Sequence, residues 1–278
     1  MRRAAITLVG LLGLVVVAFF GFSHSGRDSE QRRTLVLTGS STVAPLAAEI
    51  GKRFESLHPG VKVDVQTGGS SRGIADARRG TADIGMASRA LKVTENDLIA
   101  YQIARDGVCL ILNAANPLAS LTDQQVIDIY TGKVNNWIEV GGKDAPIVVV
   151  SKAEGRATLE VFLAYFKLEN PAIQADVIIG DNEQGIKTVA GNVDAIGYVS
   201  VGSAEYNAEH GVSIKLLPSG GVAASTKTLA DGSFPISRPL NLVTRRAPSE
   251  LSRTFIEYSQ SEDVHDLIKA LYFVPVAR

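Results

Sequence analysis

The stretch Thr38-Gly39-Ser40-Ser41-Thr42-Val43-Ala44-Pro45 governs the reading of the whole chain. Just before it, Leu35-Val36-Leu37 is a short apolar run of the kind that forms a buried strand. Just after it, Val43, Leu46, Ile50, Phe54 and Leu57 recur at steps of three and four, the period of one helix face. Ser41 or Thr42 is placed to cap that helix, and Pro45 suits its first turn, where a missing N–H costs little. The order strand, hydroxyl-rich turn, helix sets hydroxyls and unpaired N–H groups at the positive end of a helix dipole. That geometry serves as a plain cap or as a seat for an anion.

The same unit recurs along the chain. The first helix stops at His58-Pro59-Gly60, and the alternating strand Val61-Val63-Val65 runs into Thr67-Gly68-Gly69-Ser70-Ser71-Arg72-Gly73, ahead of a second helix from Ile74 to about Arg79. Glycines there let backbone N–H groups turn inward as an anion nest. A third strand, Ala82 to Ala87, ends at Ser88-Arg89, and Ile147-Val148-Val149-Val150 runs into Ser151-Lys152-Ala153-Glu154-Gly155-Arg156-Ala157-Thr158. That loop opens a helix with Leu159, Phe162 and Phe166 on one face. Four strand ends thus carry small, hydroxylated or basic residues. Open α/β sheets bind ligands just beyond the carboxyl ends of their strands.

The alternation over 35–100 predicts parallel strands covered by helices, the last helix running from Thr94 to Tyr101. An apolar strand at 107–113 closes at Asn113-Ala114-Ala115-Asn116-Pro117, a crossing point toward a second lobe. Beyond it, Leu121 to Tyr130 reads as an amphipathic helix, Asp176 to Ile179 as a strand, Asn182 to Ala190 as a helix and Asp194 to Ser200 as a strand. Pro235 to Thr244 returns as a strand to the first lobe, and two helical segments follow. Trp137 reads as a packing anchor.

Composition narrows the functional classes. The chain is 45% hydrophobic and 21% charged with a formal net charge of −1, so no broad basic surface points to nucleic acid. The single cysteine, Cys109, allows neither an internal disulfide nor a cysteine metal site. The four histidines, His24, His58, His210 and His265, stand outside any catalytic or metal motif, and clustered metal ligands are lacking. The segment Gly180 to Thr188 imitates a phosphate loop, but Ile186 separates Gly185 from Lys187 and breaks the required core. The sequence therefore points to a non-enzymatic protein without cofactor or metal.

The amino terminus carries its own information. Met1-Arg2-Arg3, an apolar run from Ala4 to Phe22 and the small-residue site Ser23-His24-Ser25-Gly26 have the order of an export signal over residues 1–25, with a linker at 26–33. The run is also long enough, at about 19 residues, to span a bilayer if it stays attached, so a membrane-tethered form remains open. Loss of residues 1–25 removes two arginines and leaves 26 basic against 29 acidic side chains, a net −3.

The chain resembles the periplasmic phosphate-binding proteins of ABC phosphate importers (the PstS-like family). The resemblance runs through Thr38 to Thr42, Gly68-Gly69-Ser70, Asp83 to Arg89, Asn113 to Pro117, Leu121-Thr122, Asn136-Trp137, Gly197 to Ser200 and Pro235 to Leu240. It implies a two-lobed α/β periplasmic-binding-protein fold of type II, with lobe 1 at 34–112 and 241–278, lobe 2 at 113–240 and the ligand cleft between them. It also implies capture of inorganic phosphate, delivery to permease subunits of an inner-membrane ABC transporter, a periplasmic location and a monomer. Another oxyanion such as sulfate or a phosphonate, a membrane-tethered sensor or adaptor, and a phosphoester hydrolase acting through Ser41 or Thr42 are the alternatives.

By position, the family's ligand contacts fall at Ser41, Thr42 and the backbone of Val43, at Ser70, at Arg89 beside Ser88, at Lys152, and at Arg156, Ala157 and Thr158 of the inter-lobe loop. Two departures stand out. Arg89 replaces an aspartate that accepts the phosphate proton, and arginine has no acceptor. Arg156 and Ala157 replace a serine and a glycine. The expectation is that both arginines point inward as bidentate donors to a dianion.

Overall fold

The computed structural model describes residues 33–276, which lie within one compact unit. The expected export signal and the linker up to residue 32 lie outside the described residues. Strand β1 (Arg33–Gly39) leads into helix α1 (Ala44–Leu57), then β2 (Val61–Thr67), α2 (Ser70–Arg79) and β3 (Ile84–Ala87). The long strand β4 (Leu98–Asn113) follows, then α3 (Asp123–Tyr130), β5 (Val148–Lys152), α4 (Ala157–Phe166), β6 (Val177–Ile179), α5 (Asn182–Ala190), β7 (Ala195–Ser200), α6 (Val201–Glu209), β8 (Ile214–Leu216) and α7 (Thr226–Ala230). Strand β9 (Ser237–Arg245), helices α8 (Glu250–Ser259) and α9 (His265–Ala270) and the short β10 (Val274–Pro275) end the described chain.

The strands join in the order β2-β1-β3-β9-β4-β7-β5-β6, with β8 and β10 attached to β4. The expected parallel pairing holds for β1 with β2 and β3, and for β5 with β6 and β7. Strands β4 and β9 run antiparallel to their neighbours and carry the sheet from one lobe into the other. The first half of β4 pairs with β9, its second half with β7. The apolar residues follow this division. One core gathers Leu35, Leu37, Ile50, Phe54, Ile84, Met86, Leu240, Leu242 and Phe255. The other gathers Val108 to Leu112, Trp137, Val149, Phe162, Ile196 and Tyr198. This is the two-lobed α/β arrangement expected from the sequence.

Local expectations fail where distant pairing competes with propensity. The helix expected over Thr94–Tyr101 is a short 3-10 turn at Val93–Glu95, and Leu98 already begins β4. Residues 98–102 bond in register to Arg245–Asn241, and a ladder to another strand outweighs a weak helical preference. Helix α2 starts at Ser70, four residues earlier than its apolar period indicated. Neither Ser41 nor Thr42 caps α1. Its N-cap is Val43, without a side-chain cap, and Ser40 Oγ instead accepts from the amides of Thr42 and Val43, at 3.2 and 3.3 Å, in the turn ahead of the helix. Trp137 is buried and donates its indole N–H to the Asp194 carbonyl at 3.0 Å, as befits a packing anchor. Among the described residues no helix is long and apolar enough to cross a membrane.

Candidate functional site

Four helices begin at one small hollow between the two cores. Ser40, Ser41 and Thr42 reach it ahead of α1, Gly69 and Ser70 at the start of α2, Arg156, Ala157 and Thr158 at the start of α4, and Asn182 at the start of α5. Ser88, Lys152 and Gly180 complete the lining. The first amides of each helix lack intrahelical acceptors, so positive dipole ends gather at the hollow, the α5 end already capped by the Asp181 carboxylate through the Gln184 amide at 2.8 Å. The hollow is small, with room for about one water-sized particle, too little for a sugar or nucleotide. Gly69 is indispensable to this closeness. Its φ is +95°, and a Cβ there would stand 2.8 Å from the Gly155 carbonyl of the opposing loop.

Of the residues singled out in the sequence, Ser41, Thr42, Ser70, Ser88, Lys152, Arg156, Ala157 and Thr158 come together on this hollow. Val43 and Arg89 do not line it. The Val43 side chain is buried in the first core and its amide bonds to Ser40 Oγ. Arg89 turns away from the cleft. Its Nη1 and Nη2 donate to Glu95 at 2.8 Å each, and its Nε lies 3.1 Å from Glu160, outside good hydrogen-bond alignment. Burial works to raise the Glu95 carboxyl, but the Arg89 hydrogen bonds and the Lys92 amide outweigh it, and the net shift is downward. The expected pair of inward arginines is therefore reduced to Arg156, because two carboxylates compete for Arg89 at short range.

A different arginine supplies the buried charge. Arg238 and Asp106 face each other across β9 and β4 and are almost wholly buried. Arg238 donates to Asp106 Oδ2 from Nε at 3.1 Å and from Nη2 at 2.8 Å. Its remaining N–H bonds reach the hydroxyl oxygens of Thr158 at 2.9 Å and of Ser88 and Thr42 at 3.4 Å. Asn182 Nδ2 also donates to Thr42 Oγ1, at 3.2 Å. With their oxygens already accepting, the hydroxyls of Thr42 and Thr158 have their own protons free to donate into the hollow. Sequence reading assigned no role to Arg238, Asp106, Ser40 or Asn182. One signal was present: Asp106 stands at the edge of the apolar run Val108 to Leu112, and a charge carried into a core requires a buried partner.

Lys152 ends β5 with its amide donated to the Tyr198 hydroxyl at 3.2 Å, and Tyr198 in turn stacks on Phe162. Its ammonium donates to the Asp181 carbonyl at 2.7 Å and to Asn182 Oδ1 at 3.1 Å. Burial and the nearby Arg238 charge pull it down to about 7, with Asp181 pulling the other way. No lining residue is a carboxylate. The lining thus combines two cationic side chains, hydroxyls and helix amides, an arrangement of donors complementary to an oxyanion. Among the described residues no group of three His, Cys, Asp or Glu side chains is placed to hold a metal.

Comparison with known proteins agrees with this geometry. A model of the family described as "PBP superfamily domain" matches residues 25–263. The chain is 27% identical over 261 residues to "Phosphate-binding protein PstS" of Bacillus subtilis (strain 168), covering 91% of this chain and 85% of that protein. A putative phosphate ABC transporter substrate-binding protein from Clostridium perfringens, solved with bound phosphate, superposes with a TM-score of 0.82 at 33% identity, over 88% of this chain and 100% of that one. An ABC-type phosphate transport receptor from Vibrio cholerae superposes with a TM-score of 0.73 at 28% identity, over 87% and 100%. The chain belongs to the PBP superfamily, as a two-lobed binding protein akin to the phosphate-binding proteins of ABC transporters.

Proposed function

We propose that the chain is an extracytoplasmic solute-binding protein that captures inorganic phosphate between its lobes and delivers it to the permease subunits of an ABC importer. The observation that carries this reading is the convergence of four helix N-termini, Lys152 and Arg156 on a small hollow with no lining carboxylate. The anion is held without covalent chemistry by the hydroxyls of Ser41, Thr42, Ser70, Ser88 and Thr158, the amides around Ala157, and the charges of Lys152 and Arg156. Arg238 acts from behind by fixing the hydroxyls. The chain works as a monomer and without enzymatic turnover, and residues 1–25 direct it out of the cytoplasm to the periplasm. The boundaries expected at 112/113 and 240/241 are drawn instead at Gly107–Val108 and Ile236–Ser237, a shift supported by the packing of Val108 to Leu112 in the second core and of Leu240 in the first.

A second reading, a general dianion site that also takes sulfate, is favoured by one observation: the lining has no carboxylate to accept a phosphate proton. Calorimetric titration of the phosphate-stripped protein with phosphate and then sulfate tests both. Tight phosphate binding is the expected outcome, and comparable sulfate binding selects the second reading. Binding of neither anion refutes both.

A further inference from the structure

We infer that Glu160 is the closing latch of the cleft: a positioning residue that never touches the anion and sets how long the lobes stay shut on it. This rests on the reading of the chain as a phosphate-binding protein that closes on its ligand. Glu160 lies on the first turn of α4, one residue beyond Leu159 and two beyond the cleft residue Thr158. Three donors from the first lobe converge on its carboxylate. Lys92 Nζ lies 2.5 Å from Oε2, Arg89 Nε 3.1 Å from the same oxygen, and Ser71 Oγ donates to Oε1 at 3.1 Å. A backbone hydrogen bond from the Ser71 amide to the Gly155 carbonyl, 3.2 Å, crosses the gap beside it.

The first-lobe half of this latch is built in advance. Glu95 grips Arg89 with both oxygens and also accepts the Lys92 amide at 2.7 Å, so Arg89 presents its Nε outward whether or not Glu160 arrives. With Arg89 and Lys92 against Glu95, that half carries one surplus positive charge, and Glu160 cancels it only when the lobes meet. Arg89 Nε and Glu160 Oε2 meet as a buried ion pair at 3.1 Å without hydrogen-bond alignment. The latch is therefore attractive without being locked, as a reversible closure requires. Because Glu160 and Thr158 share one helical turn, engaging the latch brings the positive end of α4 onto the anion. The position that departs from the family's aspartate, Arg89, has thereby moved from reading the ligand to holding the lid.

The test measures release of radiolabelled inorganic phosphate, chased with unlabelled phosphate, from the wild type, Glu160→Gln, Lys92→Met and the double variant. Lys92 is 56% exposed, so its variant leaves the fold intact even if Glu160→Gln lowers stability. Release is expected to quicken roughly tenfold in Glu160→Gln and less in Lys92→Met, with association within twofold of wild type, as for two half-buried ion pairs lost from the closed state only. The double variant releases no faster than Glu160→Gln alone, since Lys92 acts through Glu160. Raising ionic strength quickens release in the wild type and leaves Glu160→Gln unchanged. Release within twofold of wild type in Glu160→Gln, or additive effects in the double variant, overturns the latch. A wild type that binds no phosphate overturns the functional reading and the latch with it.

Discussion

Replacing Arg238 with methionine separates the two duties that the structure gives this side chain. Arg238 and Asp106 are 2% and 0% exposed, and Asp106 has one other donor, the Gly202 amide at 3.3 Å. Removing one partner of a buried pair costs about 3–5 kcal/mol, because the remaining charge stays desolvated. For a chain of this size that lowers the unfolding midpoint by roughly 6–20 °C. Anion affinity falls for a different reason. The contact to Thr158 Oγ1 at 2.9 Å is of good length, whereas those to Ser88 and Thr42, at 3.4 Å, are marginal. Counting one charge-assisted bond gives a loss of about 2 kcal/mol, roughly 30-fold in affinity. The double variant Arg238→Met with Asp106→Asn removes the stranded charge. It regains most of the stability, while its affinity stays roughly 30-fold below wild type because the hydroxyls remain unheld. Thermal unfolding of the ligand-free proteins and calorimetric titration with phosphate read the two effects. A double variant that binds like wild type refutes the claim that Arg238 aims the hydroxyls, and a single variant that melts like wild type refutes the buried-pair argument.

Three further outcomes follow from the cleft. Lys152 holds its proton less tightly in the folded chain (about 7) than in the unfolded one. Its contribution to the stability of the ligand-free protein therefore rises with pH from 7 upward, and phosphate binding at pH 8 takes up close to one proton. Calorimetry in buffers of different ionisation heat detects the uptake, and Lys152→Met abolishes it; equal heats in all buffers contradict the assignment. Sulfate competes with phosphate within about a hundredfold, since no lining carboxylate repels a fully ionised anion and one lost hydrogen bond to the anion is worth about 1.5–3 kcal/mol. A preference beyond a thousandfold, by competition titration, shows that some other group reads the proton. Gly73→Ala places a Cβ 2.5 Å from the Thr38 carbonyl and 2.7 Å from Gly39 Cα, so α2 must shift away from β1. Stability drops by about 2 kcal/mol and phosphate affinity drops with it, since Ser70 heads the same helix. Chemical denaturation and titration check both, and an unaffected variant shows that α2 yields freely.

Much of this protein was legible along the chain because its chemistry is local. A strand, a turn of small hydroxylated residues and a helix cap are set by neighbours a few residues apart. Ser41 and Thr42 accordingly stood out before any contact was known, and so did the α/β class, while the family resemblance supplied Ser70, Lys152 and Thr158 by position. The range of α5 and the burial of Trp137 were legible for the same reason. What the sequence left undetermined depends on partners far away. Leu98 to Tyr101 has a helical period and becomes strand because β9, some 140 residues later, offers it a ladder. Arg89 carries the charge of a ligand contact, yet Glu95 and Glu160 claim it. Arg238 read only as one residue of the strand Pro235 to Thr244, and only the antiparallel register sets it on Asp106 behind the hydroxyls. Short-range geometry determined which residues could bind an anion. Long-range pairing of charges in a low-dielectric interior decided which of the cations face it, because a buried charge is committed to whichever counter-charge the fold brings nearest.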